Sequence, residues 1–233
     1  MNIKVIVESM PRCGTHYLIK NLMQSLDCGY CTIYPPEVLE GQIAKTLVIK
    51  GRNFNVTFDA AAEYYTLDGG KNIESAKQNY ICKTHYTYAI PDAGEIAPKI
   101  YLWGDPLDHA YLTTRLWAGE RENPDFLLTA DNFFFRDRVE QHFDRLESWL
   151  DRVVNLPNAV RYEHLVFGYF WREVARIEMF LQKELKEKVK LSFTTPEIFK
   201  HRIIYSGWRS KIDTPVARYI EKRFDKYIWS SLL

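Results

Sequence analysis

The chain has almost no net charge to spend on a bulk polyanion: 31 Lys and Arg face 30 Asp and Glu across 233 residues, a formal +1. That balance argues against nucleic acid or an anionic membrane as partner, so any anion site must be a local cluster. No apolar run approaches the length of a membrane span, and the N-terminus enters a strand-like run almost at once, without a signal-peptide pattern. A cytoplasmic protein with no membrane span is the expectation. Cysteine is scarce as well. Four residues (Cys13, Cys28, Cys31 and Cys82) are too few for a disulfide scaffold at this length. Cys28-Gly-Tyr-Cys31 has redox spacing but follows a predicted helix instead of opening one, and it lacks a second ligand pair for zinc. Two small residues in a tight turn is the reading there, and no metal site is expected. Internal repeats, low-complexity tracts and a Walker A sequence are all missing.

What is present begins at residue 11. Pro11-Arg12-Cys13-Gly14-Thr15-His16 lies between the apolar run Ile3-Lys4-Val5-Ile6-Val7, read as a buried strand, and Leu18, Leu22 and Leu26, which recur at helical spacing. A short loop from a strand into a helix presents unpaired N–H groups and the positive end of a helix dipole, a natural seat for phosphate or sulfate. Gly14 permits close backbone approach, Arg12 brings charge, and Thr15 brings a hydroxyl. Taken alone, the same residues also fit a turn that only punctuates strand and helix.

Further along, strands are predicted at about 80–83, 98–103 and 158–163. Helices are predicted at about 15–26, 106–118, 132–153, 168–188, 196–203 and 214–230. Strands separated by helices predict one α/β domain with a central, mostly parallel sheet flanked by helices. The region 32–79 reads as an insertion containing a β-hairpin, with Thr46–Lys50 and Phe54–Phe58 joined through Gly51-Arg52-Asn53.

Ile81-Cys82-Lys83-Thr84-His85 is a short strand ending in a base. Carboxyl ends of parallel strands line the ligand crevice, so His85 is expected near the loop at 11–16. A neutral imidazole there can take a proton from a hydroxyl; a histidine satisfied by a backbone carbonyl is the alternative.

Together these motifs resemble the sulfotransferases that use 3′-phosphoadenosine 5′-phosphosulfate (PAPS). The loop is similar to their Pro-Lys/Arg-Ser-Gly-Thr, and Lys83-Thr84-His85 to their Lys-Thr-His. Gly104-Asp105-Pro106-Leu107-Asp108 resembles Arg-Asn/Asp-Pro-x-Asp, and Tyr162-Glu163-His164-Leu165 resembles Tyr-Glu-Asp-Leu. His201-Arg202…Gly207-Trp208-Arg209 resembles the closing segment over the 3′-phosphate. The resemblance implies a P-loop NTPase-like sulfotransferase architecture and a catalytic role for His85, with Arg12 and Lys83 balancing charge on the leaving phosphate. It further implies a donor site of Arg12, Cys13, Gly14, Thr15, His16, Tyr17, Thr113, Tyr162, Arg202, Trp208 and Arg209. The implied acceptor is a small molecule or carbohydrate bearing a hydroxyl. Tyr64, Tyr65, Tyr86, Tyr88 and Trp117 are candidates for its pocket wall, or for core.

Three departures bear on function. Gly104 stands where the family has its 3′-phosphate arginine, Leu112 where it has a serine (with Thr113 and Thr114 adjacent), and Cys13 where it has the loop serine. Arg202, Arg209 or Arg115 is left to meet the 3′-phosphate. A non-catalytic or altered-cofactor nucleotide binder on the same scaffold, and a nucleotide-dependent kinase, are the alternatives to PAPS-dependent transfer.

Overall fold

The computed structural model describes residues 2–26, 28–35, 42–49, 52–58, 79–86, 97–120, 123–133, 136–166, 169–182 and 209–228. The first apolar run becomes strand β1, Asn2–Ser9, buried without a break from Val5 onward. A parallel strand covered on both faces produces that kind of continuous run. Helix α1 (Thr15–Leu26) follows, then β2 (Gly29–Tyr34), β3 (Gln42–Ile49), β4 (Arg52–Phe58), β5 (Asn79–His85), β6 (Lys99–Trp103) and α2 (Pro106–Trp117). Among the described residues the remaining elements are α3 (Ala130–Phe133), α4 (Arg136–Val153), β7 (Ala159–Arg161), α5 (Tyr162–Val166), α6 (Phe170–Leu181), a 3-10 turn (Arg209–Lys211) and α7 (Thr214–Phe224).

Among the described residues seven strands form one sheet in the order β3-β4-β2-β5-β1-β6-β7. From β2 to β7 each neighbouring pair runs parallel, and β3 and β4 add an antiparallel edge. This is the α/β architecture expected from the sequence, with the sheet mostly parallel. Side chains from α1, α2, α4 and α7, including Leu22, Tyr111, Trp149 and Phe224, bury Val5 and Val7 on one face of β1. Ile6, pointing the opposite way by strand alternation, joins Ile33, Val56 and Cys82 in a second cluster. Buried Glu8 is fully engaged, accepting from Lys99 Nζ at 2.7 Å and from Trp149 Nε1 at 2.6 Å, which pins α4 to the sheet.

Several local expectations change. Cys31 lies in β2 directly opposite Cys82 in β5, and the two form a disulfide, while Cys28 is buried outside it. The tight-turn reading of Cys28–Cys31 is therefore replaced by a strand, because Cys31, Ile33 and their neighbours fill the sheet beside β5. The described part of 32–79 also lies in the sheet. The strand expected over 158–163 ends at Arg161, and Tyr162 opens α5. Helix α6 stops at Gln182, whose left-handed conformation (φ 51°) caps it. The helix expected near 196–203, with Tyr64, Tyr65 and Tyr88, lies outside the described residues. No helix among the described residues is long and apolar enough to cross a membrane.

Candidate active site

At the carboxyl end of β1 the chain leaves the sheet, turns through residues 10–14 and enters α1. Arg12 (φ 67°) and Gly14 (φ 75°) both take the left-handed conformation, with Cys13 between them. Alternation of this kind makes successive N–H groups converge, the geometry of an anion nest. Gly14 is required twice over. Its φ disfavours a side chain, and a Cβ there would sit 2.1 Å from the Tyr162 ring, so only hydrogen leaves room. Cys13 points away from the nest: its thiol donates to the carbonyls of Met10 (2.7 Å) and Leu102 (3.3 Å). Burial and the nearby Glu163 carboxylate push that thiol's pKa up, so it stays protonated and serves as a tether. His16 lies edge-on to Tyr30 with ring centroids 6.3 Å apart. Tyr17 faces Tyr162 at 6.4 Å in a T-shaped arrangement, and its buried hydroxyl has no hydrogen-bond partner among the described residues.

Strand pairing brings His85 to the loop. Register places Ser9 opposite His85 and Val7 opposite Lys83, so the ends of β1 and β5 are adjacent as expected from topology. Thr15 Oγ1 donates to Ser9 Oγ at 2.8 Å, and Ser9 Oγ lies 3.1 Å from His85 Nδ1. The Ser9 carbonyl is 3.3 Å from the same nitrogen. With Nδ1 protonated, the serine accepts its hydrogen and Nε2 keeps a lone pair. Burial, then the positive charge of Lys83 and of Arg12, lower the His85 pKa to about 3, so the ring is neutral at pH 7. Lys83 is buried, with its ammonium 5.9 Å above the Tyr30 ring.

The residues that the resemblance places around a 3′-phosphate are arranged differently here. Asp105 caps α2, accepting from Leu107 N at 2.9 Å with Pro106 in the first turn, so Asp105-Pro106 is explained by helix capping. A Cβ at Gly104 would lie 3.1 Å from both Glu163 Oε1 and Cys13 Cβ. A side chain at that position needs a small shift of Glu163, which holds the Asp105 N–H at 2.8 Å and Arg161 at 2.8 Å. Burial with Asp105 and Glu163 nearby raises the Asp108 pKa to about 8, against the lowering effect of Arg209. Arg209 reaches this cluster, 3.4 Å from Asp105 Oδ2. Arg115 does not: it is buried at the other end of α2 and donates to the Glu120 carbonyl. Arg202 and Trp208 lie outside the described residues.

Arg12, Cys13, Gly14, Thr15, His16, Tyr17, Lys83, His85 and Tyr162 thus share one end of the sheet. Thr113 is buried beside His109, 3.5 Å from its Nδ1. Tyr86 and Trp117, candidates for an acceptor wall, instead pack on His142: the Tyr86 hydroxyl bonds the ring and Trp117 meets it edge-on at 5.2 Å. His109 and His142 carried no signal in the sequence, since each is a lone histidine on an amphipathic helix. Among the described residues no group of three or more His, Cys, Asp or Glu is placed to hold a metal.

No protein-family model and no curated protein matches the chain. Solved structures do. Mouse sulfotransferase SULT7A1 complexed with PAP superposes with a TM-score of 0.54 at 16% identity, covering 97% of this chain and 84% of that one. Retinol dehydratase in complex with retinol and PAP gives 0.52 at 17%, covering 99% and 82%; its complex with androsterone and PAP gives 0.51 at 17%. The chain has the sulfotransferase fold.

Proposed function

We propose that the protein transfers a sulfuryl group from PAPS to the hydroxyl of a small-molecule or carbohydrate acceptor. The observation that carries this reading is the meeting of a strained, glycine-dependent anion loop with a neutral histidine one strand away. Arg12 and the backbone N–H groups of residues 13–16 hold the 5′-phosphosulfate, and Tyr17 and Tyr162 supply aromatic surface for the adenine. His85 Nε2 takes the acceptor proton as the oxygen attacks sulfur in line. Arg12 and Lys83 balance the charge gathering on the leaving phosphate oxygen. Positioning and electrostatics supply the rate, as in phosphoryl transfer. The same two cations that depress the His85 pKa are the ones a bound phosphosulfate neutralises, so donor binding makes His85 a stronger base.

The 3′-phosphate falls to Arg202, with Trp208 and Arg209 in the same segment; the place of Arg209 beside Asp105 supports this. Crowding at Gly104 favours a second reading, a binder of a nucleotide lacking that phosphate. Transfer of labelled sulfate from PAPS to a panel of phenols, steroids and sugars, in chelator, tests the first. Turnover lost in His85→Ala with PAP binding retained is the expected result. PAP binding without turnover on any acceptor would favour the second.

A further inference from the structure

Three groups that donor binding and proton transfer leave unused form a hydrogen-bonded chain across the site. His109 Nδ1 on α2 lies 2.7 Å from the Pro11 carbonyl. Its Nε2 lies 2.8 Å from His142 Nε2 on α4. The Tyr86 hydroxyl, one residue beyond β5, is 3.1 Å from His142 Nδ1, 3.0 Å from Nε2 and 3.4 Å from the His142 carbonyl. A carbonyl only accepts, so His109 carries its proton on Nδ1. Burial holds both rings neutral, assisted by the closeness of the two imidazoles to each other and by the positive charges of Arg12 near His109 and of Arg145 and Arg138 near His142. A neutral imidazole has one N–H. His109 Nε2 is therefore bare and accepts from His142 Nε2–H, which leaves His142 Nδ1 bare for the Tyr86 hydroxyl.

Both ends of this chain touch the candidate machinery. Pro11 precedes Arg12, a non-glycine residue held at φ 67°, where L-residues are uncommon. Tyr86 follows His85 directly. We propose that His109, bridged through His142 to Tyr86, is a positioning residue that holds the donor loop in its anion-binding conformation and fixes it against the strand end carrying His85. The identity of the donor in this proposal rests on the sulfotransferase reading.

Two substitutions separate its two bonds. In His109→Asn the amide nitrogen replaces Nδ1 and keeps the bond to Pro11; in His109→Gln the amide oxygen replaces Nε2 as acceptor and keeps only the side toward His142. His109→Asn is expected to bind PAP within about threefold of wild type, with kcat lowered at saturating donor. His109→Gln is expected to weaken PAP binding about tenfold, the size of one lost hydrogen bond. Equal losses of affinity in both variants, or none in either, overturn the proposal. Nitrogen-15 NMR of the wild-type imidazoles gives a reading independent of ligand and of variant folding. Nδ1–H at His109 with Nε2–H at His142 supports the chain, and any other pair of tautomers overturns it. Should wild type bind no PAP, the sulfotransferase reading fails while the NMR result still decides the positioning role.

Discussion

At the scale of single residues, the proposed site turns on one imidazole and one missing side chain. His85→Ala should reduce transfer by ~10²–10⁴, the usual contribution of a general base, with PAP affinity nearly unchanged. Comparing kcat with a PAP titration checks both halves, and normal turnover would place the base elsewhere. Gly14→Ala should destabilise the protein by about 1–3 kcal/mol and weaken nucleotide binding, because the left-handed backbone and the Tyr162 ring both exclude a Cβ. Thermal unfolding and titration of that variant measure the two effects. The histidines also set a pH dependence. Unfolded histidine titrates near ~6.5, whereas folded His85 titrates at about 3 and His142 at about 4. Between these values the unfolded chain binds more protons, so stability present above pH ~6.5 is lost as pH falls toward 4 and then 3. Asp108, raised to about 8, acts in the opposite sense: its contribution is present below its unfolded value and lost as pH rises through 8. Urea unfolding should show a lower midpoint at pH 5 than at pH 7. Because Asp108 opposes that drop, NMR titration of the rings is the direct check, and a His85 or His142 ring charged at pH 5 would mean that it is not buried in neutral form.

At the scale of elements, β1, the loop and β5 were legible in the sequence because each carries its own local signal. Ile3, Val5 and Val7 mark a buried strand, and a glycine before a helical repeat marks its entry. Strand β2 was not legible: Gly29-Tyr-Cys-Thr-Ile-Tyr34 is short, and its place beside β5 is set by tertiary pairing that no local pattern announces. The same pairing sets Cys31 against Cys82, closing a sequence separation of 51 residues. Alkylation of the denatured, unreduced protein should label Cys13 and Cys28 alone, and all four cysteines after reduction. Four labelled thiols before reduction would remove this link between the strands. His109 and His142 escaped the sequence for a related reason. Their helices, α2 and α4, lie far apart in the chain, and only packing on the sheet brings one ring within 2.8 Å of the other.

At the scale of the whole molecule, the order of the motifs along the chain was enough to read a mostly parallel α/β sheet with the loop at residues 11–16 and His85 at one end. The 3′-phosphate side was only half legible. Gly104 announced a missing cation, but the crowding that a side chain would meet there, from Glu163 and Cys13, exists only in the fold. If Arg209 and the segment before it take over that contact, wild type should prefer PAP to adenosine 5′-monophosphate, and Arg209→Ala should narrow the difference. The most direct measurement of function is calorimetric titration of wild type and Arg12→Ala with PAP. Saturable one-to-one binding is expected for wild type. A roughly 10- to 100-fold weaker affinity is expected for the variant at unchanged thermal stability, the size of a lost charge-assisted hydrogen bond. No heat of binding in wild type, or equal affinities in the two proteins, would mean that the loop at residues 11–16 is not a donor site.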